Sequence, residues 1–506
     1  MKQVWNIVTK RLFVTAFILL LEIAFLISMM YLLGSLWIIF GVALYIFSIV
    51  IILLVVNDNG NPAYKISWIA CVILIPFAGG ILYIIFGKHH TTKQMKNRFN
   101  AVDMGGSEFL KNYDDILNRL ERNHSCFQMA KWMWDVSKHP VYDSTSTEFL
   151  KSGEVYFKRL LEDLKLAKKN IFMEFFIISP GKMWGEVVSI LAQKAKQGID
   201  VRLIYDDFGT ITTMPDNYSE YMNQIGIKTK VFNPVRPRLD AFMNNRDHRK
   251  IIVIDGNVSY TGGINLADEY INEKERFGYW QDCGIRLNGK ATASFTALFL
   301  RMWQYLSNEE IDYKTFMPSN EIIGDGLVMP FGDNPIRSHH LNDSIYLKII
   351  TAASRYIYIQ TPYLVMDYEL TTALIFAAES GVDVRIVTPH IPDKFYVHAM
   401  TRSSYKDLIK AGVKIYEFTP GFIHSKVIIS DDCVGVVGTA NFDFRSLYLH
   451  FECSVWMYKT SCLEQIYKDF FGIIERSQKM TIEDCDNRKL IQKILGIVLK
   501  PFAPLM

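Results

Sequence analysis

One passage of this chain is written twice. Gly198-Ile-Asp-Val-Arg-Leu-Ile and Gly381-Val-Asp-Val-Arg-Ile-Val agree in chemical type at all seven positions. Upstream of the first, Phe157-Lys-Arg-Leu-Leu-Glu-Asp-Leu-Lys-Leu-Ala-Lys-Lys-Asn-Ile-Phe-Met-Glu-Phe-Phe-Ile reads as an amphipathic helix feeding a buried strand. Upstream of the second, Tyr346-Leu-Lys-Ile-Ile-Thr-Ala-Ala-Ser-Arg-Tyr-Ile-Tyr-Ile-Gln does the same. Helix, glycine stop and strand in the same order twice predict two homologous α/β halves, each a mixed sheet flanked by helices. The expected halves are residues 136–310 and 345–506, joined by a linker at 311–344 rich in Gly, Asn, Asp and Pro.

Each half carries a second repeated element, and this one carries chemistry. The first reads His248-Arg-Lys250-Ile-Ile-Val-Ile-Asp255, followed by Thr261-Gly-Gly263-Ile-Asn265. The second reads His424-Ser-Lys426-Val-Ile-Ile-Ser-Asp431, followed by Gly438-Thr-Ala-Asn441. In a strand, residues i and i+2 share a face, so each motif presents an imidazole and an ammonium together while its apolar run enters the core. A single H-x-K is ordinary edge-strand polarity; two in matching context are not required by folding and point to a shared ligand.

Ahead of the repeats the chain is apolar. Stretches at about residues 12–33, 36–56 and 66–86 hold a single charge, Glu22, and each has the roughly 20-residue length of a membrane helix. Residues 1–87 are therefore expected to be a transmembrane region of three spans, the first two a hairpin about Gly34-Ser35, with residues 88–135 as an amphipathic connector. Basic residues flank both ends (Lys2, Lys10 and Arg11; Lys88, Lys93, Lys96 and Arg98), so the positive-inside rule gives no orientation. The seven cysteines are scattered and never form C-x-x-C, which favours a reducing compartment and a cytoplasmic catalytic part. A net charge of +3 carries no global signature of nucleic-acid binding.

The paired H-x-K-x4-D motifs resemble the phospholipase D superfamily. The similarity extends to bacterial cardiolipin synthases through Trp68, Pro76, Gly79-Gly80, Tyr83 and Phe86-Gly87, through the run Thr261–Tyr270, and through Tyr279-Trp280-Gln-Asp282. Asn441-Phe-Asp443-Phe-Arg445-Ser446 and the terminus Pro501-Phe-Ala-Pro-Leu-Met continue it. His450 departs from the pattern, standing where these synthases usually have Asn. So does Pro330-Phe-Gly-Asp-Asn-Pro335, and the hydrophobic span ahead of the usual membrane region is additional.

The resemblance implies a membrane enzyme, multi-pass in the cell membrane, that moves a phosphatidyl group from one phosphatidylglycerol to another through a phosphatidyl-histidine. Attack at phosphorus concentrates charge on its oxygens, and Lys250, Lys426, Asn265 and Asn441 are the inventory to meet it. One histidine must attack while the other delivers a proton, which an imidazole pKa of about 6.5 allows. The family favours His248 as nucleophile, although the halves are too alike for the residues themselves to decide. It also implies Glu452 to orient His424 and Asp282 to orient His248. Asp255 and Asp431 belong to the motif but are expected to brace it, and Arg445-Ser446 to assist the second half.

No metal and no cofactor are expected. The two lysines supply the charge, no H-E-x-x-H or G-x-x-x-x-G-K-[ST] occurs, and His89-His90 and His339-His340 are adjacent pairs read as solvated loops. The rival readings are a phospholipase D that uses water as acceptor, another phosphatidyltransferase, and a noncatalytic membrane scaffold. A nuclease lacks a continuous basic, aromatic groove.

Overall fold

The computed structural model describes Ser28 and residues 36–87, 93–107, 109–110, 114–118, 120, 124–235, 244–320, 322–337 and 339–505. It divides into two compact units, the first ending at His89 and the second beginning at His90. The expected first span, its Glu22 and the Gly34-Ser35 turn lie outside the described residues.

In the first unit, Leu36–Val56 is one helix of 21 residues, as its uninterrupted apolar run predicts. Its segment Ile38–Val56 has a mean hydropathy of 3.1 and is only 11% buried: Ile51 and Val55 pack against Trp68, Val72 and Tyr83 on one face, and most of the remaining aliphatic side chains face outward. At 1.5 Å per residue such a helix spans about 30 Å, the thickness of a hydrocarbon core. Among the described residues no other helix combines that length with that apolarity.

The expected span at 66–86 is not one helix but three pieces: Pro62–Leu74, Pro76–Leu82 and the π-helical turn Tyr83–Gly87. Pro76 has no N–H to continue the ladder, and its ring excludes helical geometry at the preceding residue; Ile75 accordingly sits at φ −137°, ψ 79°. Two glycines let the chain fold back. A Cβ at Gly79 would lie 2.5 Å from the Cys71 carbonyl oxygen, and one at Gly80 would lie 2.3 Å from the Phe47 ring.

The second unit holds two large sheets. The first comprises β1 (Thr145–Leu150), β2 (Asn170–Phe175), β3 (Asp200–Asp206), β4 (Lys228–Phe232), β5 (Ile251–Ile254), β6 (Val258–Gly262) and β8 (Gly284–Gly289); β7 (Tyr279–Gln281) stands apart from it. Its strand order is β1-β8-β6-β5-β2-β3-β4, with β2, β3 and β4 parallel and the other pairings antiparallel. The second half supplies β9 (Leu327–Asp333), β10 (Tyr356–Gln360), β11 (Leu364–Val365), β12 (Asp383–Pro389), β13 (Lys414–Phe418), β14 (Gly421–Ile423), β15 (Val427–Ser430), β16 (Val434–Gly438), β17 (Phe442–Asp443), β18 (Glu452–Tyr458) and β19 (Ser477–Lys479). Its large sheet runs β9-β18-β16-β15-β10-β12-β13 in the same order as the first, with β19 added at the far edge. The repeat in the sequence is thus a repeat of topology.

The segment read as a linker contributes β9, an edge strand paired along its length with β18. Pro330 hid it, because proline is tolerated in a sheet only where no neighbour needs its N–H, as on an edge. The connector also joins the core. Phe99 is buried against Phe451 edge to face, and Asp103 pairs with Arg301 at 3.0 Å and with Arg337 at 2.5 Å.

Helix Thr292–Ser307 is buried along nearly its whole length. Its Phe295, Phe299 and Met302 share one core with Val253 and Ile285 of the first sheet and Val427, Ile429 and Val455 of the second. The halves are consequently fixed to each other by packing. Two further links cross between them: β7 pairs in parallel with β14, and Asp247 bridges to Phe451. These two links place the chemistry.

Candidate active site

The triplets His248-Arg-Lys250 and His424-Ser-Lys426 lie in the segments leading directly into β5 and β15. Each is stitched to the opposite half. The His248 amide donates to the Phe451 carbonyl at 2.9 Å, one residue before Glu452, and the His424 amide donates to the Gln281 carbonyl at 2.7 Å, one residue before Asp282. The side chains follow the backbone. His248 Nδ1 lies 3.0 Å from both carboxylate oxygens of Glu452, and His424 Nδ1 lies 2.7 Å from Asp282 Oδ2.

This corrects the expected pairing. Glu452 orients His248 and Asp282 orients His424, each acid reaching across to the other half, because the inter-half links and not the sheets carry the two residues side by side. With Nδ1 engaged by a carboxylate, Nε2 of each ring is left for the reacting centre.

Both acids are buried, and each needs a particular neighbour. A Cβ at Gly263 would stand 2.1 Å from Asp282 Oδ1, so the second glycine of Thr261-Gly-Gly263 is the space that the carboxylate occupies. The equivalent residue of the second half is Thr439, whose hydroxyl donates to Glu452. Sequence comparison of the halves showed Gly263 opposite Thr439; what it could not show was that one yields room and the other a hydrogen bond.

The two lysines are fully buried, a rare state for an ammonium. Lys250 Nζ donates to the His248 carbonyl at 2.6 Å, and Lys426 Nζ donates to the His424 carbonyl. Burial pulls Lys250 down to about 8, with the Glu452 charge opposing it, and Lys426 down to about 7, with Asp282 opposing and Lys250 assisting. Burial and the Lys426 charge together hold His424 at about 4. His248 is likewise driven well below the usual histidine range, first by burial and then by Lys250. Glu452 is pushed upward by the same desolvation. The site therefore keeps its imidazoles neutral beside two buried lysines whose ammonium form is disfavoured by burial, an arrangement that an anionic ligand would favour by adding negative charge next to them.

Asn265 and Asn441 flank the centre with different duties. The Asn265 carbonyl oxygen accepts from the Ile177 amide at 3.0 Å and its Nδ2 donates to Tyr270 Oη at 2.7 Å, so it is committed to holding the loop. Asn441 Nδ2 donates to Asp443 at 3.1 Å, while its side-chain oxygen is buried with no hydrogen-bond partner. Arg445 and Ser446 open the π-helical turn Arg445–Leu449, where Asp443 accepts from the Ser446 amide at 2.8 Å.

Asp255 and Asp431, the last members of the motif, are not brought to this centre. They terminate the strands at the far end, about 17 Å from the lysines at 3.3 Å per residue. Asp255 accepts from the amides of Lys168, Lys169 and Asn170, and Asp431 from those of Ser354, Arg355 and Tyr356, in each half pinning the turn that starts the adjacent antiparallel strand, β2 or β10. Both adopt a left-handed backbone, φ 55° and 54°, which Asp tolerates better than most residues. Their repeated spacing in the two halves is architectural.

Sequence reasoning missed the aromatic walls and the part played by His450. Phe176 meets the His248 ring edge to face at 5.1 Å, and Tyr270 meets His424 at 5.5 Å. His450 lies 5.6 Å from His248, ring to ring, and both its nitrogens are buried without a hydrogen-bond partner. Donor atoms of His248, His450 and Glu452 fall within 4.8 Å of one another, close enough for a transition metal to draw together. Lys250 and Lys426 alongside make the surroundings positive, which suits an anion better than a divalent cation. Of the histidine pairs, His339 is exposed and His340 is half-buried against Tyr448, while His89 and His90 lie outside the described residues.

The family described as "Cardiolipin synthase, PLD-like domain" matches residues 160–303 and 346–474, and a "Phospholipase_D-nuclease N-terminal" family matches residues 43–88. An uncharacterized protein of Streptococcus mutans is 40% identical over 458 residues, covering 90% of this chain and 99% of its own. "Cardiolipin synthase 2" of Bacillus anthracis is 33% identical over 456 residues, covering 89% and 88%. The crystal structure of a phosphatidylserine synthase from Haemophilus influenzae shares the fold, with a TM-score of 0.58 at 17% identity over 75% of this chain and 98% of that one.

Proposed function

From the premise that this chain belongs to the cardiolipin synthase family of phospholipase D-like proteins, we propose that it condenses two phosphatidylglycerols into cardiolipin and glycerol through a phosphatidyl-histidine. The observation that supports this most directly is the pair of crossed histidine–carboxylate contacts around two buried lysines. Such a centre binds a phosphodiester and offers it a nucleophile on one side and a proton on the other.

In the proposed first displacement, His248 Nε2 attacks phosphorus while its Nδ1–H is held by Glu452. Lys250 and Lys426 take up charge on the non-bridging oxygens. The bond from phosphorus to the glycerol oxygen breaks, and His424, protonated at Nε2 in the field of the bound anion, gives that proton to the leaving alkoxide. Neutral His424 then accepts the proton of the second phosphatidylglycerol's hydroxyl, whose oxygen attacks phosphorus as the P–N bond breaks. His248 returns neutral and His424 protonated.

The membrane-spanning length of Leu36–Val56 supports anchoring of the enzyme where its substrates are. All seven cysteines are free, which agrees with a catalytic unit on the reducing, cytoplasmic side. The deciding experiment is product analysis of purified protein with labelled phosphatidylglycerol. Cardiolipin with one glycerol released per turnover is expected; phosphatidic acid as the sole product would make water the acceptor, and no product would reduce the chain to a scaffold.

A further inference from the structure

Helix Leu490–Leu499 leaves five large aliphatic side chains in the open: Leu490 (72% exposed), Ile491 (53%), Ile494 (46%), Ile497 (73%) and Val498 (54%). At 100° per residue they fall within an arc of about 120°, so they form one stripe and not a scatter. The opposite face is seated. Gly496 is buried where a Cβ would lie 3.1 Å from Ser403 Cβ and 3.2 Å from the Ala399 carbonyl oxygen, which sets the helix tight against helix Phe395–Ser403 and fixes the stripe outward. The supporting helix itself exposes Phe395 and Tyr396 in its first turn.

The charge around the stripe is basic. Lys489 and Lys500 cap the helix at its two ends and both are exposed. A lysine at a helix N-terminus opposes the macrodipole, so Lys489 is not there for the helix's own stability. The nearest preceding acid, Asp486, is already paired with Lys406 at 2.5 Å. The stripe amounts to on the order of 500 Å² at about 100 Å² per side chain, below the roughly 800 Å² that each partner of a stable protein pair buries. An aliphatic face edged by lysines is instead what a bilayer surface of anionic lipid complements.

We propose that helix Leu490–Leu499 is an interfacial membrane contact of the catalytic unit, separate from the spanning helix: its aliphatic stripe enters the boundary between headgroups and acyl chains, with Lys489 and Lys500 on lipid phosphates. The contact holds the catalytic unit down on the lipid surface independently of which reaction it performs.

The test uses full-length protein in phosphatidylcholine vesicles with and without added phosphatidylserine. A photoreactive diazirine residue is placed at Ile494 or Ile497, with a control at Lys468, whose side chain is 72% exposed on another helix, and adducts are identified by mass spectrometry. Lipid adducts at 494 and 497, absent at 468 and increased by phosphatidylserine, are expected. Adducts to a second copy of the chain, or equal lipid labelling at all three positions, would overturn the proposal. The exposed double variant Lys489→Glu/Lys500→Glu should lose the increase from phosphatidylserine; an undiminished increase would refute the role of the lysines. Phosphatidylserine is not the proposed donor, so the outcome does not depend on turnover.

Discussion

The crossed orientation of the two histidines gives a sharp prediction, because it assigns each acid to the histidine of the other half. In Asp282→Asn, His424 loses a charged acceptor at 2.7 Å in a site where both groups are buried. A hydrogen bond to a charged group contributes about 1.5–3 kcal/mol. At about 1.4 kcal/mol per decade, the step that depends on His424 should slow by about 10- to 150-fold. Glu452→Gln should impose a loss of similar size on the step that depends on His248, whose Nδ1 is 3.0 Å from Glu452.

The assay compares each acid variant with His248→Ala and His424→Ala on two donors: phosphatidylglycerol, and a phosphatidyl ester with an activated phenolic leaving group that departs without a proton. Asp282→Asn should share the phenotype of His424→Ala, slow on phosphatidylglycerol, with the first displacement on the activated ester, read as the initial release of the phenol, largely restored. Glu452→Gln should follow His248→Ala and be slow on both. Should His424 prove to be the nucleophile, the two phenotypes exchange but the pairing stays. If Asp282→Asn instead tracks His248→Ala, each acid serves its own half and the crossed geometry is refuted.

Other outcomes follow from the same structure. The kcat/KM profile should fall as pH rises through about 7 and about 8, where Lys426 and Lys250 lose the protons that hold the anionic substrate; on the acid side it should fall only where the nucleophile His248, held well below the usual histidine range by burial and then by Lys250, takes up a proton. Lys426→Arg, if it keeps activity, should shift the alkaline fall upward, and an unmoved fall would exclude Lys426 as its source. Gly263→Ala puts a methyl 2.1 Å from Asp282 Oδ1 and should reproduce the leaving-group dependence of Asp282→Asn in a folded protein, as read by circular dichroism and the two-donor assay. Asp255→Ala and Asp431→Ala should destabilise by about 1–3 kcal/mol, seen as a lower Tm, with kcat/KM per folded molecule nearly unchanged. Turnover should persist in excess chelator, and its loss with rescue by one divalent metal would show that the lysines do not suffice.

What the sequence revealed and what it concealed divide along a physical line. The repeated Gly198 and Gly381 passages reported the halves because each glycine takes a left-handed turn, φ 84° and 93°, that ends a helix before a parallel strand, and local conformation is written in local residues. The break at Ile75 was written there too, in Pro76, and was outweighed by the length of the apolar run. Strand β9 was masked because its Pro330 has meaning only once the strand is known to be an edge. The histidine–acid pairing was beyond local reading altogether. His248 and Glu452 are 204 residues apart and His424 and Asp282 are 142 apart, and nothing in either neighbourhood specifies the Asp247–Phe451 bridge or the β7–β14 pairing that joins them. Because both halves carry the motif and each supplies the other's acid, neither half alone contains a complete histidine–carboxylate pair. The duplication that made the fold legible is therefore also what makes the site inseparable, and a chain expressing residues 136–310 without 345–506 should bind no phosphodiester at the crossed centre even if its sheet forms.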